Sequence, residues 1–437
     1  MTAIDFNSLV TPSRVHQRVY TDPEIFQLEL DRIFNKAWLY VAHESQIENS
    51  GDFIISRMGQ QEVIVNRDEQ NNINVLKNSC AHRGAQLCTS KRGNSANIVC
   101  PYHGWQYQNN GSLISLPNQK GYSDSFNAKN EKYWLQRAPR IQSYKGFVFA
   151  SWSAHGLGLI EFLGEMTLAL DNLLERSPEG EIEQVGGSFD LIYPGNWKFH
   201  MENANDTIHP GFVHASSVAS GRMHTEPSAI EGDQTRMMLA ANGFGPGEWD
   251  SVALYALDQG HSYMDGFYKS GIVAPDSNDT VTREYRKIML QKYGEDRANE
   301  ILGLDRFNNL IYPNLAVNAQ FHQMRIVHPI AADRTLLRSF CFKLKGAPDE
   351  IHQRATRFLT TLTSPASMIF SDDVEIFARC QAGLTQSGNE WVNTERGVLS
   401  DKVDDNSKQI SAGASELPVR AQFAAWLRFM NDGVKEL

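Results

Sequence analysis

The chain has 437 residues, with 41 basic against 51 acidic side chains and a formal charge of −10. That acidic balance leaves no cationic surplus to displace counterions from phosphate, which argues against a nucleic-acid partner. Five scattered cysteines do not make a disulfide framework, no apolar run reaches the roughly 18–20 residues that span a bilayer, and the N-terminus lacks a signal-peptide pattern, so no membrane association and a cytoplasmic protein are expected.

The length suits two or three domains. Asp22-Pro23 is a helix start signal, and Ile25, Leu28, Leu30 and Ile33 supply an apolar stripe behind it. Residues 1–40 are therefore expected to be a helical segment packing on the larger, C-terminal domain. From about 52 to 152 the pattern changes to short β-like runs ("DFIISRMG", "QEVIVNRD", "INVLKNSC", "ANIVCPYH", "GFVFASWS") separated by Gly, Asn and Asp turn residues. Residues 41–155 thus read as a small all-β domain of hairpins. A helix-like stretch follows at 159–178. Strand-like "MRIVHPI" and "LLRSFCFKL" then alternate with helix-like "EIHQRATRFLTTLTSP", and 156–437 reads as one α+β domain. Residues 385–415 are polar and read as a surface loop.

Two Cys/His pairs fall at strand ends of the small domain. Cys80-x-His82 and Cys100-x-x-His103 are separated by 17 residues. Zinc is the commonest tenant of two cysteines and two histidines, but a finger usually groups the cysteines in one pair and the histidines in the other. Here each loop supplies one of each. That suits a Rieske [2Fe–2S] cluster, in which two thiolates hold one iron and two imidazoles hold the other. Gly84 and Gly104 let the loops turn closely, and Pro101 stiffens one of them. A structural zinc is the alternative. Cys88, Cys341 and Cys380 lack such a pattern and are expected to be small buried apolar residues.

A second constellation lies in "GNWKFHMENANDTIHPGFVHASS". Asp206, His209 and His214 suggest a site of two histidines and one carboxylate that leaves open positions on iron(II). On a regular helix His209 and His214, five residues apart, point about 140° from each other and cannot meet at one ion. Pro210-Gly211 between them is expected to break the helix. The third ligand is Asp206 or a distant carboxylate, with Asp372 and Asp373 of "FSDDVEIFARCQAG" as candidates that spacing does not separate. His200 lies outside the pattern. His224, His261, His322 and His328 are scattered and read as packed or surface residues.

Both constellations, in this order, resemble the large (alpha) subunits of Rieske non-haem iron aromatic-ring-hydroxylating oxygenases. "YVAHESQI", "CAHRGAQL", "CPYHGW", "GYSDSF", "YKGFVFAS", "EFLGE", "GNWK", "LIYPN" and "DDVEIFARCQAG" are similar to the benzoate and anthranilate dioxygenase branch. The resemblance implies an α+β fold in which an all-β Rieske domain is inserted in a larger helix-grip catalytic domain, an antiparallel sheet with helices. It implies mononuclear Fe(II) on His209, His214 and Asp373. Asp206 becomes a bridging residue, expected to hydrogen-bond His209 and to reach His103 of a neighbouring subunit, and Asn203 is grouped with it as a candidate catalytic side chain. Electrons would come from NAD(P)H through a separate reductase, ferredoxin or both. A small beta subunit is expected in an α₃β₃ assembly, or else alpha subunits alone as a trimer. The implied reaction adds O2 to an aromatic ring as a cis-dihydrodiol, consuming two electrons, and the branch suggests an aromatic carboxylate as substrate. Arg325, in "QMRIVHPI", could pair that carboxylate with its planar fork. The chain departs from the family at Ile208, where tyrosine is common, at Pro210, and across about 218–300. The rival readings are a monooxygenase or demethylase on the same scaffold, a non-catalytic Rieske electron carrier, and a zinc-stabilised binding module.

Overall fold

A computed structural model of the chain describes every residue except 1–3, 124, 224–248, 267–278, 368, 387, 406–407 and 433–437. The chain divides into two compact units, residues 34–160 and residues 1–33 with 161–436.

The 34–160 unit consists of short antiparallel strands: β1 (Leu39–His43), β2 (Asp52–Met58), β3 (Gln61–Arg67), β4 (Ile73–Lys77), β5 (Arg92–Asn94), β6 (Asn97–Val99), β7 (Gln106–Gln108), β8 (Leu113–Ser115), β9 (Arg140–Tyr144) and β10 (Phe147–Ser151). They pair in three sheets, ordered β4-β3-β2-β5, β8-β7-β6 and β9-β10-β1. Strand β2 buries Ile54, Ser56 and Met58 in the alternation expected of a strand with one face inward. A core of Ile64, Leu76, Leu87, Ile98, Trp105, Tyr107, Leu113 and Leu135 also contains Cys80 and Cys100. Both cysteines are thus placed by hydrophobic burial before any metal is considered.

The larger unit centres on an antiparallel nine-stranded sheet. Its strands are β11 (Phe189–Tyr193), β12 (Ala253–Ala256), β13 (Ser262–Asp265), β14 (Arg306–Ile311), β15 (Leu315–Asn318), β16 (Gln323–Ala331), β17 (Arg334–Cys341), β18 (Lys402–Val403) and β19 (Gln409–Ala412). They lie in the order β11-β17-β16-β15-β14-β13-β12-β19-β18. The helices that matter for function are α1 (Pro23–Glu29), α2 (Trp197–Ala204), α3 (His209–Val213), α4 (Asp349–Leu362), α5 (Phe370–Leu384) and α6 (Leu417–Asp432). Asp22 caps α1 as its sequence suggests, its side chain accepting from Glu24 N–H. The mixture of helices and antiparallel sheet agrees with the expected α+β fold.

One sequence expectation fails here. Residues 385–415 are not a loop excursion. Trp391–Asn393 pairs with Arg14–His16, and β19 pairs with β12 inside the main sheet. Strands of three or four residues are too short to display a period, and their partners lie more than 100 residues away in sequence.

Helix α2 is held from several sides, which fixes the point where the chain leaves it. The Asn196 side chain caps the helix by accepting from Lys198 N–H at 3.1 Å and donates to Tyr20 O and Ala332 O at 3.0 and 2.7 Å. Its own N–H donates to Gln381 Oε1 of α5 at 2.9 Å. Lys198 and Glu29 form an ion pair of 2.6 Å with both side chains fully buried, and Glu29 also accepts from the indoles of Trp197 and Trp426. The buried charge is thereby paired and hydrogen-bonded, the condition under which such a group persists in a core.

Candidate metal centres

In the smaller unit the two Cys/His loops repeat one hydrogen-bond pattern. Cys80 N–H donates to Ala85 O and Gly84 N–H to Cys80 O, at 2.9 and 2.8 Å. Cys100 N–H donates to Trp105 O and Gly104 N–H to Cys100 O, at 2.8 and 3.0 Å. Gly84 and Gly104 adopt φ of 73° and 68°, which L side chains rarely take. The cysteines lie at the buried end of the loops and the histidines are half-buried. The rings of His82 and His103 are 4.8 Å apart, and Trp105 stacks on His82. Burial alone would raise the Cys100 thiol, but the N–H groups of His103 and Tyr102 hold it below its ordinary value, while burial leaves Cys80 raised.

These residues fit a cluster held from two ends. His82 Nδ1 and His103 Nδ1 are buried without a hydrogen-bond partner. One tetrahedral zinc would draw all four ligand atoms to within about 4 Å of one another. Among the described residues the set whose ligand atoms all lie within 4.8 Å is a different one, His209, His214 and Asp373; the four loop residues do not join into such a set.

That second set is assembled in the larger unit. Helix α2 ends at Ala204, and the turn after it is fastened by Asn205 to Ser262 of β13, by Thr207 to Gly413 O, and by Asn308 of β14 to Ala204 O. The helix break expected at Pro210-Gly211 falls earlier, at 205–208. Pro210 sits in the first turn of α3, where its missing N–H costs nothing. His209 opens α3 and His214 closes it as a non-helical cap with φ −99° and ψ 16°, so the two rings are freed from regular helical directions and their centroids lie 5.4 Å apart.

Asp373, from the first turn of α5, completes the group. Its Oδ1 lies 3.2 Å from His214 Nε2 and 3.6 Å from His209 Nε2, yet is buried without a hydrogen bond. Three lone-pair donors converging with no proton donor between them suit a cation, and the donor set of two imidazoles and one carboxylate suits Fe(II) with open positions. Asp372, one residue earlier, faces the other side of the same histidine, 3.4 Å from His214 Nδ1. Burial would lower His214, but the carboxylates of Asp373 and Asp372 outweigh it and its pKa is raised. At His209 the desolvation outweighs the pull of Asp373 and Asp206, and its pKa is lowered.

The other sequence candidates fall in different places. Asp206 Oδ2 is 3.8 Å from His209 Nδ1, so the expected hydrogen bond is not made. The carboxylate is engaged elsewhere, its Oδ1 accepting from Ile208 N–H at 2.9 Å and from Arg396 at 3.2 Å. Asn203 and Arg325 line one cavity with the His209, His214 and Asp373 group, together with Phe307, Asn308, Phe358 and Ile369. His261 is structural, its Nδ1 accepting from Tyr312 N–H and its Nε2 lying 2.7 Å from Phe162 O. His200, His322 and His328 are buried, and His224 lies outside the described residues. Cys341 is buried as expected and Cys88 is half-buried, but Cys380 is exposed, contrary to expectation, because it lies on the outer face of α5. Sequence reasoning missed Arg396, which stands in the stretch taken for a loop.

The chain matches two families in succession. Residues 37–144 match the Rieske [2Fe-2S] domain, and residues 178–431 match the catalytic domain of the ring-hydroxylating alpha subunits. The chain belongs to the ring-hydroxylating oxygenases. It is 32% identical over 412 residues to the toluate 1,2-dioxygenase subunit alpha of Pseudomonas putida, covering 94% of this chain and 87% of that one. It is 31% identical to the anthranilate 1,2-dioxygenase large subunit of Acinetobacter baylyi, covering 90% and 82% of the two chains. Among solved structures, naphthalene 1,2-dioxygenase with indole bound in its active site matches with a TM-score of 0.81 at 25% identity, over 98% of this chain and 94% of that one. This alpha subunit is therefore an oxygenase of the benzoate/anthranilate-like branch whose cofactors are a [2Fe–2S] cluster and Fe(II). As is typical of the family, it works on O2 and an aromatic substrate with electrons delivered from NAD(P)H by partner proteins. The readings as a bare electron carrier or a zinc module do not survive the match to a catalytic domain. Among the described residues no helix is long and apolar enough to cross a membrane.

Proposed function

We propose that this alpha subunit binds an aromatic carboxylate through Arg325 and adds both atoms of O2 to its ring as a cis-dihydrodiol. The observation that carries the substrate class is the state of Arg325. It is a cavity-lining guanidinium whose one hydrogen bond among the described residues goes to a neutral partner, Asn308 Oδ1, at 2.6 Å. Burial pushes its pKa down to about 10, with Asp373 opposing, so it stays protonated at neutral pH. A partly buried cation hydrogen-bonded to a neutral amide, with Asp373 acting on it only through space, is poorly compensated, and an arriving carboxylate would relieve it. The relatives named for toluate and anthranilate dioxygenation support the same class.

In this reading Cys80, His82, Cys100 and His103 hold the [2Fe–2S] cluster, and His209, His214 and Asp373 hold the Fe(II). When bound, the cluster would supply one of the two electrons that cis-dihydroxylation consumes, and the Fe(II) would supply the other together with open positions for O2. The chain's own residues do the rest. Arg325 fixes one end of the substrate, Phe307, Phe358 and Ile369 pack its ring, and their apolar surface keeps water from the cavity. Asp372 holds the His214 ring by its Nδ1. Asn203 and Asp206 line the same cavity, with Asp206 beside His209. Asp206 is the link to His103 of a neighbouring subunit, in an assembly of three alpha subunits with or without three small beta subunits. NAD(P)H as electron source suits the cytoplasm.

Two measurements test this. Turnover of benzoate under ¹⁸O2 should place two labelled oxygens in the product; one would favour the monooxygenase reading. Arg325→Gln should raise KM for benzoate about 30-fold, the equivalent of roughly 2 kcal/mol for a lost buried charge contact, and leave toluene much less affected. Equal losses on both would remove the carboxylate role.

A further inference from the structure

We propose that Arg396 is the positioning residue of Asp206, holding one carboxylate oxygen so that the other faces the iron-site histidine. This rests on the reading of Asp206 as the link between the two metal centres. Arg396 Nη2 lies 3.2 Å from Asp206 Oδ1 and 3.4 Å from Glu416 Oε1, so one guanidinium spans both acids.

The arginine is itself built into place. Its N–H donates to Glu416 Oε2 at 3.1 Å, its carbonyl accepts from Glu416 N–H at 2.9 Å, and Arg420 Nη1 donates to the same carbonyl at 3.1 Å. The next residue, Gly397, has φ 75°, and a Cβ there would stand 2.5 Å from Ser415 Cα, so the backbone around Arg396 tolerates no side chain at 397. A surface arginine serving only solubility needs none of this anchoring.

The consequence for Asp206 is geometric. Oδ1 already accepts from Arg396 and from Ile208 N–H. Oδ2 remains, 3.8 Å from His209 Nδ1, and that nitrogen is buried without a partner. A shift of less than about 1 Å would bring the pair to hydrogen-bond distance. With Arg396 removed, the Ile208 N–H would be the one hydrogen bond left to the carboxylate among the described residues, and it could turn toward solvent.

The test uses the purified oxygenase loaded with both metal groups. The cluster is reduced chemically, the enzyme is mixed with O2 and benzoate, and cluster oxidation is followed by its visible absorption. A second arm, without benzoate, adds nitric oxide to the Fe(II) enzyme and records the EPR spectrum. Wild type is compared with Asp206→Asn, Arg396→Gln, Arg396→Lys and the Asp206→Asn/Arg396→Gln double variant. Arg396→Gln should slow cluster oxidation by about 10–100-fold, the usual cost of losing an outer-sphere partner, and change the EPR spectrum as Asp206→Asn does. It should add nothing in the Asp206→Asn background, and Arg396→Lys should restore most of the rate. Wild-type behaviour of Arg396→Gln beside a slow Asp206→Asn would overturn the proposal and leave the role of Asp206 standing. So would fully additive losses in the double variant, or a loss of metal in Arg396→Gln and Arg396→Lys alike. A wild-type rate in Asp206→Asn would instead remove the reading of Asp206 and this inference with it.

Discussion

The cluster loops and the His209, His214 and Asp373 site are held by different kinds of bond. Around Cys80 and Cys100 the supports are backbone hydrogen bonds within each loop and an apolar core beneath them. Around His209 and His214 the turn is fastened by the side chains of Asn205, Thr207 and Asn308, and the carboxylates of Asp206, Asp372 and Asp373 face the two rings. A centre that passes electrons needs to stay still, and backbone bonds in a packed core do that. A centre that must admit O2 and substrate needs open positions and adjustable ligands, and side-chain contacts at 3.2–3.8 Å allow movement.

The contrast predicts that the two centres can be removed one at a time. Asp373→Ala should lower the iron content from about three atoms per chain to about two, with the cluster spectrum intact, as read by metal analysis and visible absorption. Cys100→Ser should do the reverse, abolishing the cluster spectrum while His209, His214 and Asp373 still take up Fe(II). Loss of both centres in either variant would mean that they are not independent.

Next in size is the buried pair behind α2. Glu29→Ala strands the Lys198 ammonium in the core and should destabilise the protein by about 3–5 kcal/mol, measured by denaturant unfolding. Because α2 positions the His209 turn, iron uptake should suffer before the cluster does. Smaller again is Asp372→Asn, which should weaken Fe(II) binding by about 10–100-fold in titration and leave cluster absorption unchanged. An unchanged Fe(II) affinity would make Asp372 a bystander.

The smallest effect is expected at a pair apart from both centres. Arg354 grips Asp279 with two contacts of 2.7 and 3.0 Å, and this holds the Asp279 carboxyl well below the usual carboxylate range. A group depressed in the folded state contributes stability that is complete above its unfolded pKa and is lost as pH falls from about 4 toward the folded value. Asp279→Asn should therefore flatten the acid limb of the stability profile by about 1 kcal/mol or less after solvent screening, with both metal centres unaffected.

Legibility in the sequence divides along the same line. The proposed cluster ligands stand out in the sequence because each loop is local: four candidate residues within 24 positions, at strand ends, beside glycines that the turn requires. The hairpin alternation around them was legible for the same reason. The second site was half legible. His209 and His214 stood in a motif, but Asp372 and Asp373 differ only in which way they leave the first turn of α5, about 100° apart, and only the resemblance chose between them. Asp206 was found, and the hydrogen bond expected of it was not, because its Oδ2 stands 3.8 Å from His209 Nδ1. Arg396 itself was invisible. Its strand neighbours are three or four residues long and pair with segments more than 100 residues away, so no period announces them. The position of the helix break was also misjudged, because proline in a first turn starts a helix as readily as it ends one.

Coupling of an electron store to an oxygen site for dihydroxylation of an aromatic carboxylate is what the proposed function requires. It is tested most directly by a single turnover of reduced oxygenase with benzoate and ¹⁸O2, tracking cluster absorption and product mass together. One cluster should be oxidised for each molecule of cis-dihydrodiol formed, with both new oxygens labelled. Cluster oxidation without hydroxylated product, or product carrying one labelled oxygen, would contradict it.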